Sequence, residues 1–259
     1  MTEPQNNQES GSPHDLSAQA RQAAIKAAAP LRDSKGKTLT STPELNHQLD
    51  NYVRQNYTYP IAEADVATQE RVRQALSPIF DSASHVIPGV NRPEIKVYVM
   101  NVRASGMFAV PPQISKDGNH AVAGLIVSPS TLVELQRGPE FFRHVASHEM
   151  GHVFFGMDKN LANDIRFQPR SAKLVQELNN TRFGTPQQKE NYLNEARADK
   201  LGFWLNPDLN TANTILSRML PEPGPVRHPS PDARKAELAL TDSEMSHPQQ
   251  QPGRKGQQR

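Results

Sequence analysis

The sequence predicts an α+β fold that is mainly helical, with a small mixed sheet in the middle of the chain. Apolar residues recur at helical spacing before residue 81 and again after residue 138. Between these regions, residues 95–100 alternate and are rich in β-branched side chains, which is typical of a strand. A turn signal, Asp117-Gly118-Asn119, then separates two further apolar segments. Helices, a small sheet and more helices therefore follow one another along the chain.

The individual elements follow from local patterns. Leucine and valine at helical spacing predict two early helices, over residues 43–57 and 62–80. Strands are predicted over residues 95–100, 107–110 and 121–127. Pro111-Pro112 should end the second strand, because proline cannot donate to a strand ladder. Pro139 begins a long helix, since proline is favoured in a first turn. Later helices are predicted over residues 187–205, 209–220 and 232–240.

Both ends of the chain are predicted to lie outside the folded domain. The 259 residues include 22 prolines and 14 glycines, and mean hydropathy is −0.68, which is polar for a globular protein. Residues 1–15 cannot bury enough apolar surface to offset the entropy of ordering them, and residues 18–29 form at most a short alanine-rich helix. We expect a disordered or weakly helical extension over residues 1–42, one domain over residues 43–242, and a disordered tail over residues 243–259.

Composition excludes several classes of protein. Residues 41–242 carry 21 basic and 22 acidic side chains, so we expect no nucleic-acid partner. No apolar stretch approaches the roughly 20 residues needed to cross a bilayer, so no integral membrane segment is expected. The first residues lack the pattern of a cleaved signal peptide, which favours a soluble protein, cytoplasmic or exported by another route. The absence of cysteine excludes disulfides, thiolate zinc sites and cysteine nucleophiles. The oligomeric state stays open.

The segment His148-Glu149-Met150-Gly151-His152 has the pattern H-E-x-x-H. On a helix, His148 and His152 lie one turn apart on the same face, so both imidazoles can reach one zinc ion. Glu149 lies beside them and can contact a water molecule held by the metal. Apolar residues at helical spacing on both sides predict that this helix is buried.

A catalytic zinc ion usually takes three protein ligands, so a third ligand is expected elsewhere. Glu195 and Asp199 are separated by four residues on a predicted helix and share one face. One of them could ligate zinc, and the other could accept the second ring N–H of a ligand histidine. His144 is not expected to be a ligand, because three successive histidines of one helix cannot surround a tetrahedral ion. We interpret it as a structural or surface histidine.

Together, the segments 148–152 and 195–199 resemble the gluzincin zinc peptidases, and in particular the HtpX-like family that includes the CAAX prenyl endopeptidases. Three further segments agree with this resemblance. Met107-Phe108-Ala109 is similar to the family's N-A-F-A segment, and residues 123–127 stand where the family places the strand before its active-site helix. Residues 227–234 are similar to its T-H-P-x-x-x-x-R segment. The resemblance covers residues 60–242 and implies a zincin-like fold.

The resemblance implies one zinc ion per chain, bound by His148, His152 and Glu195, with Glu149 as general base. Asp199 would orient a ligand histidine. His228 would lie near the zinc, either stabilising an oxyanion or acting as an extra ligand.

Arg234, by the same resemblance, would pair with a carboxylate of the site. The sequence departs from the family in three ways: Gly106 replaces its asparagine, the transmembrane helices of the best-known members are absent, and a polar interval follows His152.

These features predict a zinc-dependent metalloendopeptidase that hydrolyses extended or unfolded protein segments, using a zinc-activated water with Glu149 as general base. The substrate is expected to add to the strand over residues 121–127 by backbone hydrogen bonds. It would contact Ala123 and Gly124 there, and Met107, Phe108 and Ala109 on the preceding strand. Two alternatives stay open: a non-catalytic zinc-binding interaction protein, and the same peptidase exported as an effector that acts on a host protein.

Overall fold

The computed structural model describes residues 36–102, 105–218 and 228–247, and the predicted α+β class is confirmed for this part of the chain. The helices are α1 (Pro43–Asn56), α2 (Val66–Val86), α3 (Pro129–Arg137), α4 (Pro139–Met157), α5 (Ala172–Asn180), α6 (Pro186–Leu205), α7 (Leu209–Arg218) and α8 (Pro231–Ser246). The strands are β1 (Ile61–Glu63), β2 (Glu94–Met100), β3 (Met107–Ile114) and β4 (Ala121–Val127). Two short 3-10 turns, Lys159–Asn163 and Ile165–Phe167, follow α4.

Most of these helices begin at a short polar side chain that caps them. In each case its oxygen accepts a backbone N–H of the first turn, which satisfies a donor that the helix itself leaves unpaired. The capping residues are Thr42, Asp65, Ser128, Ser171, Thr185 and Ser230. Helix α4 instead begins at Gly138-Pro139 without a side-chain cap.

The four strands form one mixed sheet in the order β1-β2-β4-β3. Strand β4 is parallel to β2 and antiparallel to β3, so both of its edges are paired. Both of its faces are covered as well. Val122 and Ile126 pack with α1, whereas Leu125 and Val127 point into the main core with α2, α4 and α6. Strand β3 lies at the end of the sheet and packs beside α4.

Helices α4 and α6 cross at unusually short range, because a glycine of each helix faces the other. A Cβ added to Gly202 would lie 2.8 Å from the backbone nitrogen of His148. A Cβ added to Gly151 would lie 2.9 Å from the carbonyl oxygen of Ala198. Ordinary contacts between carbon atoms are about 3.5–4.0 Å, so neither position has room for a larger residue. The crossing brings the second half of α6 against the H-E-x-x-H segment.

The Pro111-Pro112 pair does not end its strand as the sequence predicted. Strand β3 continues past Pro111-Pro112 to Ile114, with an irregular register between Val110 and Gln113. Proline is tolerated there because β3 is an edge strand and the prolines lie at the irregularity. Helix α2 passes through Pro78, as the prediction over residues 62–80 requires, and continues to Val86. Strand β1 occupies residues 61–63, although residues 62 and 63 were expected to begin this helix.

The folded domain is longer at both ends than residues 43–242. Leu39 is buried, and its backbone N–H donates to the carbonyl oxygen of Arg92, so residues 38–42 belong to the domain. Helix α8 reaches Ser246, and Met245 is buried, so the predicted tail boundary at 243 lies inside this helix. The alanine-rich segment 18–29 and the end of the predicted helix 209–220 lie outside the described residues. Within the described ranges, no helix is both long and apolar enough to cross a membrane.

Candidate metal centre

Three potential metal ligands, His148, His152 and Glu195, meet where α4 crosses α6. The Nε2 atoms of the two histidines lie 3.3 Å apart. The Glu195 carboxylate reaches both rings, with Oε2 3.3 Å from His148 Nε2 and Oε1 3.4 Å from His152 Nε2. One helix therefore contributes two nitrogen donors and the other contributes the oxygen donors, and this group could hold a metal ion.

The spacing of these donor atoms is compatible with one metal ion. Ligand atoms about 2.0–2.1 Å from zinc, at tetrahedral angles, lie about 3.3–3.4 Å from one another. The two imidazole Nε2 atoms lie 3.3 Å apart, and they face different oxygens of Glu195, His148 at 3.3 Å from Oε2 and His152 at 3.4 Å from Oε1. The residues present therefore fit a divalent ion held by two imidazoles and one carboxylate, and three protein ligands leave a further position to water or substrate.

Asp199 lies one turn after Glu195 on α6 and orients His148. The Nδ1 atom of His148 lies 2.8 Å from Asp199 Oδ1, and Arg234 of α8 donates two hydrogen bonds of 2.6 Å to the same carboxylate. A carboxylate at Nδ1 favours the tautomer whose Nε2 is free to bind metal. Burial alone would raise the pKa of Asp199, but Arg234 and His148 hold it well below its usual range, so the carboxylate stays charged.

The negative charge around the two histidines favours a bound cation. Burial alone would lower the pKa of His148, but Asp199 and Glu195 raise it to about 10. Burial also opposes ionisation of Glu195, yet His148 and His152 hold the pKa of that carboxyl far below its usual range. The charged carboxylates of Glu195 and Asp199 would also attract a divalent cation, whose binding releases a proton from His148.

Glu149 lies beside this group and is buried. Its Oε2 accepts a hydrogen bond of 2.7 Å from the backbone N–H of Ala109 in β3. Burial raises the pKa of Glu149, and the neighbouring His148 and His152 only partly oppose this effect. A carboxyl group whose pKa is shifted toward neutrality can accept a proton and return it.

His228 approaches the group from the segment that precedes α8. Its Nε2 lies 3.3 Å from Glu195 Oε2, which is the same oxygen that contacts His148. The potential ligand atoms that lie within 4.8 Å of one another belong to His148, His152 and Glu195, and His228 is not among them. His228 therefore contacts the candidate ligand Glu195 without belonging to the ligand group itself.

A cavity of about 1010 Å³ opens at these residues, at the upper end of the range of roughly 300–1,000 Å³ for small-molecule pockets. Met107 and Phe108 of β3 line it. Its apolar lining residues also include Val145 of α4, Leu216 of α7 and Leu238 of α8. All the predicted site residues except Ala123 and Gly124 line the cavity: Met107, Phe108, Ala109, His148, Glu149, His152, Glu195, Asp199, His228 and Arg234.

The expected substrate contacts on β4 are wrong. Ala123 and Gly124 do not line the cavity, and both are buried. Strand β4 pairs with β2 on one side and β3 on the other, so it has no edge to which another strand could add. The free edge beside the cavity belongs to β3.

Several polar residues that were not predicted as site residues also line the cavity, among them Tyr57 and His144. Tyr57 follows α1, and its pKa is raised to about 12 by burial, with contributions from Tyr52 and Glu149, so its hydroxyl stays protonated. His144, which was expected to be a structural or surface residue and not a ligand, is half-buried and lines the cavity outside the metal group. Burial lowers the pKa of His144 to about 4, so the imidazole is neutral. Its position one turn before His148 was the available signal, whereas nothing in the sequence marks Tyr57.

Comparison with protein-family models, with curated proteins and with solved structures gave no match for this chain. The interpretation of the site therefore rests on its residues and their geometry.

Proposed function

We propose that this protein is a zinc-dependent metalloendopeptidase with a zincin-like fold, related to the gluzincins that its sequence resembles. The observation that carries the proposal is the convergence of the donor atoms of His148, His152 and Glu195, with Glu149 buried beside them at an open cavity. Two imidazoles and a carboxylate are a ligand set typical of catalytic zinc. When bound, zinc supplies Lewis-acid chemistry, because it polarises a carbonyl group and acidifies water.

The remaining steps of hydrolysis are assigned to side chains that line the cavity. Glu149 accepts a proton from the attacking water, whose oxygen bonds to the carbonyl carbon of the scissile peptide. Glu149 then returns this proton to the amine nitrogen as the C–N bond breaks. His228 and Tyr57 both line the cavity and can donate hydrogen bonds to the negative charge that develops on the carbonyl oxygen.

The free edge of β3 supports an extended polypeptide as substrate. Because the Ala109 N–H bonds to Glu149 instead of β4, the backbone groups of Ala109, and by alternation those of Met107, face outward. An extended chain can add to such an edge by backbone hydrogen bonds, which makes recognition tolerant of sequence. The prolines at 111 and 112 and the irregular register limit this pairing to the first half of β3. The apolar lining residues, among them Val145, Leu216 and Leu238, suit an apolar side chain of the substrate.

Metal content is the first test of the proposal. The full-length protein, dialysed against a weak chelator, should hold one zinc ion per chain by elemental analysis. His148→Ala and Glu195→Ala should each lose this zinc. A parent protein that holds no stoichiometric metal would contradict the proposal.

Hydrolysis of an unfolded polypeptide such as casein is the second test. Glu149→Gln should keep its zinc and lose activity by a factor of about 10² or more, because the general base is gone. Glu190→Gln is the matched control, since Glu190 also lines the cavity on α6 but lies outside the metal group, and it should retain activity. Zinc binding without hydrolysis by the parent would instead favour a non-catalytic zinc-binding interaction protein.

A further inference from the structure

Helix α5 carries a carboxylate that binds the beginning of α8. Glu177 Oε1 accepts a hydrogen bond of 2.8 Å from the Tyr192 hydroxyl and another of 2.8 Å from the backbone N–H of Ser230. Its Oε2 accepts a short hydrogen bond from the Ser230 hydroxyl. Ser230 also caps α8, since its Oγ accepts from the N–H of Ala233. Both polar groups of Ser230 that can donate are thus bound by one side chain.

Ser230 lies two residues after His228, and buried Pro229 separates them. Because the proline ring fixes φ, the position of Ser230 restricts where the His228 backbone can lie. The His228 imidazole ends 3.3 Å from Glu195 Oε2. We propose that Glu177 is a positioning residue, which holds Ser230 and thereby places the His228 ring against Glu195. The catalytic consequence of this proposal rests on the proposed peptidase function, whereas the placement itself does not.

The rest of α8 is held independently of Glu177. Arg234 is paired with Asp199, and Glu237 accepts a hydrogen bond of 2.9 Å from Lys200 in the core. Loss of Glu177 should therefore release the segment before α8 without detaching the helix. This separation makes the proposal testable in a protein that still folds.

The chain offers a matched control on the same pair of helices. Lys173 of α5 forms an ion pair of 3.0 Å with Asp232 of α8, and both side chains are exposed. Lys173→Ala breaks this contact between the two helices and leaves Ser230 untouched. Glu177→Gln is the conservative variant, because the glutamine oxygen can still accept the Ser230 N–H.

The first experiment uses the metal-free protein and does not depend on activity. Amide hydrogen exchange at Ser230 should accelerate about tenfold or more in Glu177→Ala, and the His228 ring proton resonance should shift in the same variant. Lys173→Ala should leave both unchanged, and Glu177→Gln should restore most of the Ser230 protection. Unchanged exchange at Ser230 in Glu177→Ala, or equal effects in Lys173→Ala, would overturn the placement.

The second experiment is a double-mutant cycle on the zinc-loaded protein. Glu177→Ala should lower kcat about tenfold with KM and zinc affinity within twofold, since a group held in the wrong place contributes little to the transition state. In the His228→Ala background, Glu177→Ala should cause no further loss of kcat. Independent, multiplicative losses would overturn the claim that Glu177 acts through His228. If the parent protein hydrolyses no peptide, the proposed function fails, and the exchange experiment still decides the placement.

Discussion

Replacing Gly202 by alanine should weaken zinc binding through the helix crossing alone, without changing any ligand. Gly202 lies two turns after Glu195 on α6, and it faces the backbone of α4 at His148 and Ser147. The added Cβ would lie 2.8 Å from His148 N and 2.9 Å from His148 Cα. Because these neighbours are backbone atoms, no side chain can rotate away to make room.

The size of the effect follows from these distances. Restoring an ordinary contact requires α6 and α4 to separate by roughly 0.6 Å, whereas ligand distances in a metal site tolerate only about 0.2 Å. The metal-free protein can relax by letting the helices part, but the metal-bound protein must close the crossing again. Overpacking of this kind costs about 1–3 kcal/mol, which corresponds to about a 5- to 140-fold rise in the Kd for zinc.

Competition with a fluorescent chelator measures this Kd directly, and circular dichroism during heating measures the Tm of the metal-free variant. Gly138→Ala is the control, because a Cβ at that position would approach only the flexible carboxylate of Glu140, and its Kd should stay within twofold of the parent. Alanine is also the better helix former by roughly 1 kcal/mol, so the Tm of Gly202→Ala need not fall. A Gly202→Ala protein that binds zinc as tightly as the parent would refute the reasoning.

Three further predictions concern groups around the site and the core. Asp199→Asn should weaken zinc binding by about 10- to 100-fold in the same competition assay, because the carboxylate that orients His148 is lost; an unchanged Kd would contradict this role. Lys200→Met should lower the free energy of unfolding, measured in urea, by about 3–5 kcal/mol, because it leaves the buried Glu237 carboxylate without its cation. A loss below about 1 kcal/mol would contradict this, since the backbone N–H groups bound to Glu237 would then stabilise the buried charge without Lys200. Burial alone would raise the pKa of Asp50, but Lys96 and Tyr98 hold that pKa below its usual value. The charged Asp50 therefore stabilises the folded protein fully above about pH 4, and this contribution is lost as the pH falls through the lowered pKa. Asp50→Asn should therefore destabilise the protein in urea at pH 7 and have progressively less effect below pH 4, and an equal effect at pH 7 and pH 2 would contradict this explanation.

The α+β class and most helices and strands could be predicted from the sequence, because the periodic spacing of apolar residues and the capping of helices depend only on residues close together in the chain. The errors occur where tertiary position overrides a local rule. Pro111-Pro112 did not end β3, since an edge strand tolerates missing donors. Residues 172–180, in the polar interval after His152, form α5, although the sequence offered no strong pattern there.

The choice of β4 as the strand that binds substrate was wrong for a similar reason. The apolar segment 121–127 predicts a strand, but the sequence of a single strand does not determine which other strands pair with it. Burial of every residue of β4 follows from its place between β2 and β3, with α1 on one face and α4 on the other. The strand order therefore decided that the free edge beside the cavity belongs to β3.

What the sequence by itself determined is the local half of the site. Two histidines four residues apart on a helix must share a face, and Glu149 must lie next to them, because helix geometry fixes these relations within a single turn. Helix spacing could only nominate Glu195 and Asp199, and the resemblance could only suggest His228 and Arg234, whereas the tertiary structure brings all four to the two histidines and adds Tyr57 to their cavity. The approach of Glu195 and Asp199 depends on how closely α4 and α6 can pack, which here is set by the missing side chains of Gly151 and Gly202.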